Sequence, residues 1–434
     1  MPVLPQGPDL ILTGATVHTM NATDLTATAI AISNGRIVGV GSDDEIRSIA
    51  GPSTTEEHLP GMTIIPGLID AHNHLLSTGR MLQQVQLYDC RSIADITSRI
   101  DMAARNASPG TWVVGRGWDE SLLAEHRHPN RSDLDPVSHG HPVVIHRVWN
   151  KLVANSEAMR RAGISRESPD PPADVAYSGS FDRDEAGEPT GLFRDRAKAL
   201  ITDHIPAADE NAEIAAIATA CRAYNTVGLT GVAEPGLTPS ETRAYQQAAR
   251  QRQLTVRTDM LLAAWGFGAA SLESGLKDRF RDLGLRGGFG DDLLRLEGIK
   301  FMPDGGVGDR TARMFAPYLN DTHNRGQWVV DPVELPQLIG WVHDLGFSID
   351  THTCGDEAQQ VVVEAYAAAQ TRNPQPLLRH RVHHAYFPTA RTLKLMARHH
   401  IPAVVSNPFS SPISASFVVS WRGTSLDHAD ADPI

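Results

Sequence analysis

What this sequence lacks narrows the field first. Its 434 residues include only three cysteines, Cys90, Cys221 and Cys354. They are too few and too widely spaced for a disulfide framework and form no Cys-x-x-Cys, which suits a reducing compartment. Long apolar runs are also missing. No stretch could span a bilayer, and the start, MPVLPQGPDLILTGATV, lacks the charged segment and long apolar run of a secretory leader. A cytoplasmic protein with no membrane partner is expected. Positive charge is in deficit, with 39 Lys and Arg against 51 Asp and Glu and a formal net charge of −12. A phosphate-binding surface needs clustered cations, so a nucleic-acid partner is excluded as well. Internal repeats and low-complexity linkers are absent. What is present is a 41% hydrophobic chain, long enough for one large α/β domain and a smaller companion.

The chain's first 62 residues read as a small β-module. Short apolar runs such as DLILTGATVHTM and TAIAISNGRIVGVG are broken by turns, and Asn34-Gly35 between two of them is a strong hairpin signal. From residue 63 to 434 the pattern changes to helical patches alternating with short apolar strands, which predicts βα units around a parallel sheet. An insertion breaks the rhythm at about 111–203. There WVVGRGW and HPVVIHRVW could pair as strands, and PDPPADVAYSGSFDRDEAGEPTG is rich in turns. Helices are predicted near Asp209–Thr226, Pro239–Arg252, Pro332–Leu345, Asp356–Gln370 and Pro388–His399, each between strands. Seven barrel-type strands result, and the expected eighth is missing.

Polar residues fall at the ends of these strands, where a βα-barrel carries its chemistry. The run IIPGLIDAHNH would place Asp70, His72 and His74 on one face of a strand, and two imidazoles so spaced can grip one metal. Lys300 closes LRLEGIK, a costly place for an ammonium unless it is exposed, paired or chemically changed. His352 closes GFSIDTH, just before a helix cap expected at Asp356. His384 closes RHRVHH, about one βα unit after His352. Spacing does not separate it from His383, which would point to the opposite face. Each residue alone has a plainer reading, as a paired lysine or a satisfied core histidine. The series of four strand ends is what favours a metal centre. His126, His128, His139, His141 and His146 lack that placement. Cys354, in phase with His352, could form a Cys–His nucleophilic pair, but no third group is evident to orient it.

Taken together, PGLIDAHNH, PNRSDLD, EPTGLFRD, IKFMPDGGVGDRTA, HTCGDEA and RHRVHHA resemble the amidohydrolase superfamily of metal-dependent hydrolases, in its N-substituted formamide deformylase (YtcJ-like) branch. The resemblance implies an α/β fold: a TIM-type (β/α)8 barrel, here lacking its eighth strand unit, with an N-terminal β-module that is half of a composite β-sandwich. It implies that His72 and His74 bind one divalent metal and that His352 and His384 bind a second. Lys300, carboxylated by CO₂, would bridge the two. Lys300, His352 and His384 are then the catalytic residues, zinc is the expected ion with one or two bound, and a mononuclear site with unmodified Lys300 stays open.

Two departures from the family stand out. His383 occupies the position of a customary glutamate and is left unassigned. The eighth-strand aspartate that normally shuttles the proton has no counterpart, because Asp427, Asp430 and Asp432 follow no apolar strand. The implied reaction is hydrolysis of an amide-type C–N bond of a small molecule. The alternatives are a truncated, catalytically weak or regulatory metal-binding remnant, and a relative cleaving another bond. Trp118, Asp119 and Trp149, and Asp304, Arg310 and Thr311, are either pocket residues or structural ones. Oligomeric state is left open, with a homo-oligomer compatible.

Overall fold

A computed structural model describes residues 7–23, 26–147, 151–170, 179–264, 280–307, 310–319 and 321–405. It divides into two units, Met1–Ile69 with Gly228–Gly231, and Asp70–Val227 with Val232–Ile434. In the first, a four-stranded sheet runs in the order Arg36–Gly41, Ala29–Ser33, Leu10–Thr13, Thr55–His58, and a three-stranded one joins Thr26–Ala27, Thr16–His18 and Thr63–Ile64. The expected hairpin is there. Asn34 and Gly35 both have positive φ, 51° and 73°, as the tight turn between right-twisted antiparallel strands requires. Ile11, Ala29, Ala31 and Ile46 form a small core beneath it.

The main path of the large sheet carries seven strands in sequential order: β1 (Leu68–Asp70), β2 (Leu229–Leu237), β3 (Arg257–Ala263), β4 (Leu294–Phe301), β5 (Ser348–Thr353), β6 (Arg381–His384) and β7 (Ala403–Val404), with the short strand Phe289–Gly290 paired antiparallel to β4 off that path. The ladders from β3 to β7 are parallel. This is the curled α/β sheet expected of the fold. Helices α1 (Leu75–Leu82), α2 (Glu210–Thr226), α3 (Pro239–Arg250), α4 (Leu335–Asp344), α5 (Asp356–Arg372) and α6 (Ala390–His399) alternate with it. Their starts are chemically marked. Asp209, Thr238 and Thr389 cap α2, α3 and α6 through side-chain oxygens that accept the first free N–H groups. Ile299, Phe301, Ile349 and Val382 on one face of the strands pack against Leu338, Ile339, Val342, Val362 and Tyr366 of α4 and α5. Each such apolar side chain contributes about 1.5–3 kcal/mol on burial. No helix among the described residues is long and apolar enough to cross a membrane.

Register fixes what faces inward. Lys300 lies beside Asp350, Asp350 beside Arg381, and His352 beside His383. The period-two alternation of a strand therefore sets these five residues on the face opposite the apolar one.

The insertion forms its own six-stranded sheet, ordered Phe181–Arg183, Pro189–Arg194, Lys151–Ala154, Val143–Arg147, Val113–Trp118, Val85–Gln86. The two segments expected to pair do so, in parallel from Val113↔Val143. The sheet also recruits Val85–Gln86, ahead of the predicted boundary, because a two-residue strand leaves no pattern in sequence. Trp118 is fully buried against Leu87, Leu123 and Leu134, with its Nε1 3.4 Å from the Ile145 carbonyl. It is core, not pocket.

Candidate metal centre

The His-x-His motif is not on the strand itself. β1 ends at Asp70, and His74 is already the N-cap of α1. What holds the two imidazoles is a turn. Asp70 accepts the backbone N–H of His72 at 3.1 Å and the Asn73 side-chain amide at 2.8 Å, an Asx turn that the Asn73 N–H ties to the Ala233 carbonyl of β2 at 2.9 Å. Below it, buried Glu234 of β2 accepts the N–H of Leu75 at 2.5 Å and anchors the start of α1. Burial pushes this carboxyl up to about 8.

His72 and His74 nevertheless face one another, ring centroids 5.2 Å apart. His384 lies 5.0 Å from His72 and 4.5 Å from His352, again centroid to centroid. Lys300, 4% exposed, ends 3.1 Å from His383 Nδ1. The structure thus brings all five sequence-predicted residues into one cluster with His383 among them.

His383 corrects an expectation. It does not point away from His384. Its ring contacts His72 Nδ1 through its own Nδ1, and centroids are 4.4 Å apart. The reason is backbone. His383 keeps the inward register, while His384 has φ 72° and Ala385 φ 47°. Two successive left-handed residues break the alternation and let adjacent imidazoles converge. Behind His383, its Nε2 meets Asp350 at 2.7 Å, and Asp350 also takes Arg381 Nε at 2.7 Å. Desolvation raises the Asp350 carboxyl and the guanidinium opposes it. As the guanidinium's partner it is the acceptor, so Nε2 carries the proton and the Nδ1 lone pair faces Lys300 and His72. The in-phase placement of Arg381 and His383 was the available signal.

A second anchor is Asp304, fully buried. Its carboxylate accepts the N–H groups of Gly355 at 2.8 Å, Arg313 at 3.0 Å and Cys354 at 3.2 Å. It staples the loop after β4 to the turn after β5, and so belongs to loop structure. Thr311 does too, its Oγ1 taking Gly306 N–H at 3.0 Å, as does Arg310, whose carbonyl accepts Asn324 at 3.1 Å. The cap of α5 is Gly355, not Asp356. A side chain at 355 would run into the Arg313 carbonyl, a tertiary demand the local sequence does not show. Asp119 caps its own loop through Ser121. His139 pairs with Asp101 and His141 with the Thr111 carbonyl. Trp149, Asp427, Asp430 and Asp432 lie outside the described residues.

Electrostatics make the cluster a set of neutral donors. Burial, reinforced by the Lys300 charge, holds His72, His74 and His383 below the ordinary imidazole range. It depresses His352 to about 4, and, together with His352, His384 to about 2. Lys300 is itself pushed down by burial to about 7. Neutral imidazoles gathered in one cluster are donor chemistry that suits a cation.

The sequence profile described as the amidohydrolase family matches residues 57–409, more than half of the chain. The chain belongs to the amidohydrolase family. It is 29% identical over 367 residues to the putative amidohydrolase YtcJ of Bacillus subtilis (strain 168), covering 83% of this chain and 66% of that one. It therefore spans about two thirds of that relative's length. It is 27% identical over 445 residues to the N-substituted formamide deformylase of Arthrobacter pascens, covering 98% of this chain and 78% of that one. An uncharacterized metal-dependent hydrolase from Pyrococcus horikoshii shares the fold, with TM-score 0.75 at 22% identity over 95% of this chain and 77% of that chain.

Proposed function

We propose that this amidohydrolase-family protein hydrolyses an amide-type C–N bond of a small molecule at a centre of one or two divalent metal ions. The observation that carries the reading is the convergence of His72, His74, Lys300, His352 and His384 at neighbouring strand ends, with their imidazoles held neutral. In this reading His72 and His74 hold one ion and His352 and His384 the other, with Lys300 between them. Divalent ions bound there would supply Lewis acidity, polarising the scissile carbonyl and making water a nucleophile near neutral pH. Zinc suits these donors, as do iron and manganese.

Lys300 has a role an ammonium could not fill beside cations. Its buried neutral amine adds to CO₂: the N–C bond forms, one proton leaves, and the resulting carbamate is an anion with two oxygens. His383, held by Asp350, aims a lone pair at that nitrogen. Asp70 and Glu234 keep the His72–His74 turn in place. The Arthrobacter pascens relative is named for deformylation of N-substituted formamides, which makes N-formyl amines the first substrates to try.

Elemental analysis of the purified protein is expected to find divalent metal, lost on combined His72→Ala and His74→Ala substitution. Well-folded protein without metal overturns the centre. With metal bound, turnover of N-formyl amines or simple amides supports the reading. Turnover of esters alone moves it to C–O hydrolysis, and a metal-replete, folded but inert protein makes it a binding protein.

A further inference from the structure

We infer that Cys354 is a metal ligand in its own right, joining His352 and His384 in a two-imidazole, one-thiolate site for a thiophilic divalent ion of the zinc class. The inference rests on the reading of this cluster as a metal centre and adds a ligand to it. One ligand atom from each of the three residues lies within 4.8 Å of the other two, and among the described residues this is the one such group of His, Cys, Asp and Glu. Cys354 Sγ is 3.3 Å from His352 Nε2. Bonds of about 2.0–2.3 Å to zinc put neighbouring ligand atoms roughly 3.3–3.8 Å apart. The thiol and the His352 imidazole are already at that spacing, and the His384 ligand atom lies within 4.8 Å of both.

The position of the thiol is fixed by backbone. Asp304 accepts the N–H groups of both Cys354 and Gly355, so the turn that carries Sγ is clamped immediately beyond His352. The thiol is 4% exposed, with Val307, Ala312, Met314 and Tyr318 around it. That apolar wall shields the sulfur from competing water. A thiol enclosed by apolar side chains is poorly placed to act as a nucleophile. A bound cation deprotonates a coordinating thiol outright: the S–H bond breaks, sulfur bonds the ion, and the proton leaves to solvent. His352 Nε2 also sits 3.0 Å from the Gly305 carbonyl. Coordination through Nε2 exchanges that hydrogen bond for the metal. A soft thiolate would favour zinc, cobalt or cadmium over magnesium and calcium.

The test is absorption spectroscopy of the full-length protein loaded with cobalt(II), beside Cys354→Ser and Cys354→Ala, with Cys90 and Cys221 left in place as controls. The expected result is a near-ultraviolet thiolate-to-cobalt charge-transfer band that both variants lose while still binding cobalt, with zinc affinity lowered tenfold or more. Cobalt-loaded wild type without the band, or a band that survives in the variants, overturns the inference and leaves the histidine centre standing. Protein that binds no cobalt overturns both. If neither variant folds, zinc-edge X-ray absorption of the wild type decides: a sulfur neighbour supports the ligand, and nitrogen and oxygen alone refute it.

Discussion

Replacing Asp350 by Asn isolates the charge behind the centre. The carboxylate is fully buried, 2.7 Å from Arg381 Nε on one oxygen and 2.7 Å from His383 Nε2 on the other. Asparagine keeps the volume and one acceptor but removes the counter-charge of a guanidinium whose side chain is 18% exposed. Stranding one partner of a buried pair costs about 3–5 kcal/mol. Arg381 retains some solvent contact, so the lower end, about 3 kcal/mol, is expected. The assay is urea unfolding of metal-free protein, followed by fluorescence of Trp328 and Trp341, which pack against the barrel core. A lower midpoint at unchanged slope reports stability. Arg381→Met alone should cost a similar amount by stranding the carboxylate. The double variant should lose less than the sum of the two, since an apolar replacement of both partners is often tolerated. Additive losses, or an Asp350→Asn cost under about 1 kcal/mol, would refute the claim that this pair is coupled in a dry interior.

Two pH-dependent outcomes follow from groups behind the centre. His343 Nε2 meets the Asn373 carbonyl at 2.7 Å, its Nδ1 meets His380 Nε2 at 2.8 Å, and His380 Nδ1 accepts Ile349 N–H at 3.1 Å. Burial holds His380 down at about 3 against an ordinary 6.5. The unfolded chain therefore binds more protons, and stability should fall as pH drops from about 6.5 toward 3, by at most about 1.4 kcal/mol per unit. His380→Gln should flatten that limb in urea midpoints measured against pH, and an unchanged limb would contradict the relay. Glu234 runs the other way. Its carboxyl is raised to about 8, so its contribution is full below about 4.5 and is lost as pH climbs through 8. Glu234→Gln should gain on the wild type steadily from pH 5 to 8 in thermal melts, and parallel curves would show the carboxyl is not buried neutral.

The strand-end series was legible in sequence because it obeys two local rules, period-two alternation and chemistry at carboxyl ends. Lys300 and His352 sit where those rules put them. His72 and His74 reach the same cluster by a different route. β1 stops at Asp70, and the side chain of that residue shapes the turn together with one backbone bond from Asn73 to Ala233. The doublet His383-His384 defeated the alternation rule because the last residue of the strand and the one after it are both left-handed, and neither is glycine or asparagine to announce it. Gly355 was missed as a cap for a related reason: only the approach of the loop at Arg313, some forty positions away in sequence, demands it. Period-two alternation carries only regular strand geometry: the His384 miss lies in local dihedrals that it does not encode, and the Gly355 miss lies in a long-range contact.

The paired left-handed turn at His384 and Ala385 carries a cost in backbone strain. A non-glycine residue in that conformation costs roughly 1–2 kcal/mol, and here two stand in a row. Glycine at 385 would relieve half of that strain without touching the cluster, whereas glycine at 384 would relieve the other half only by erasing an imidazole. Histidine at 384 therefore trades backbone comfort for an imidazole placed inside the cluster, 4.5 Å from His352 between ring centroids.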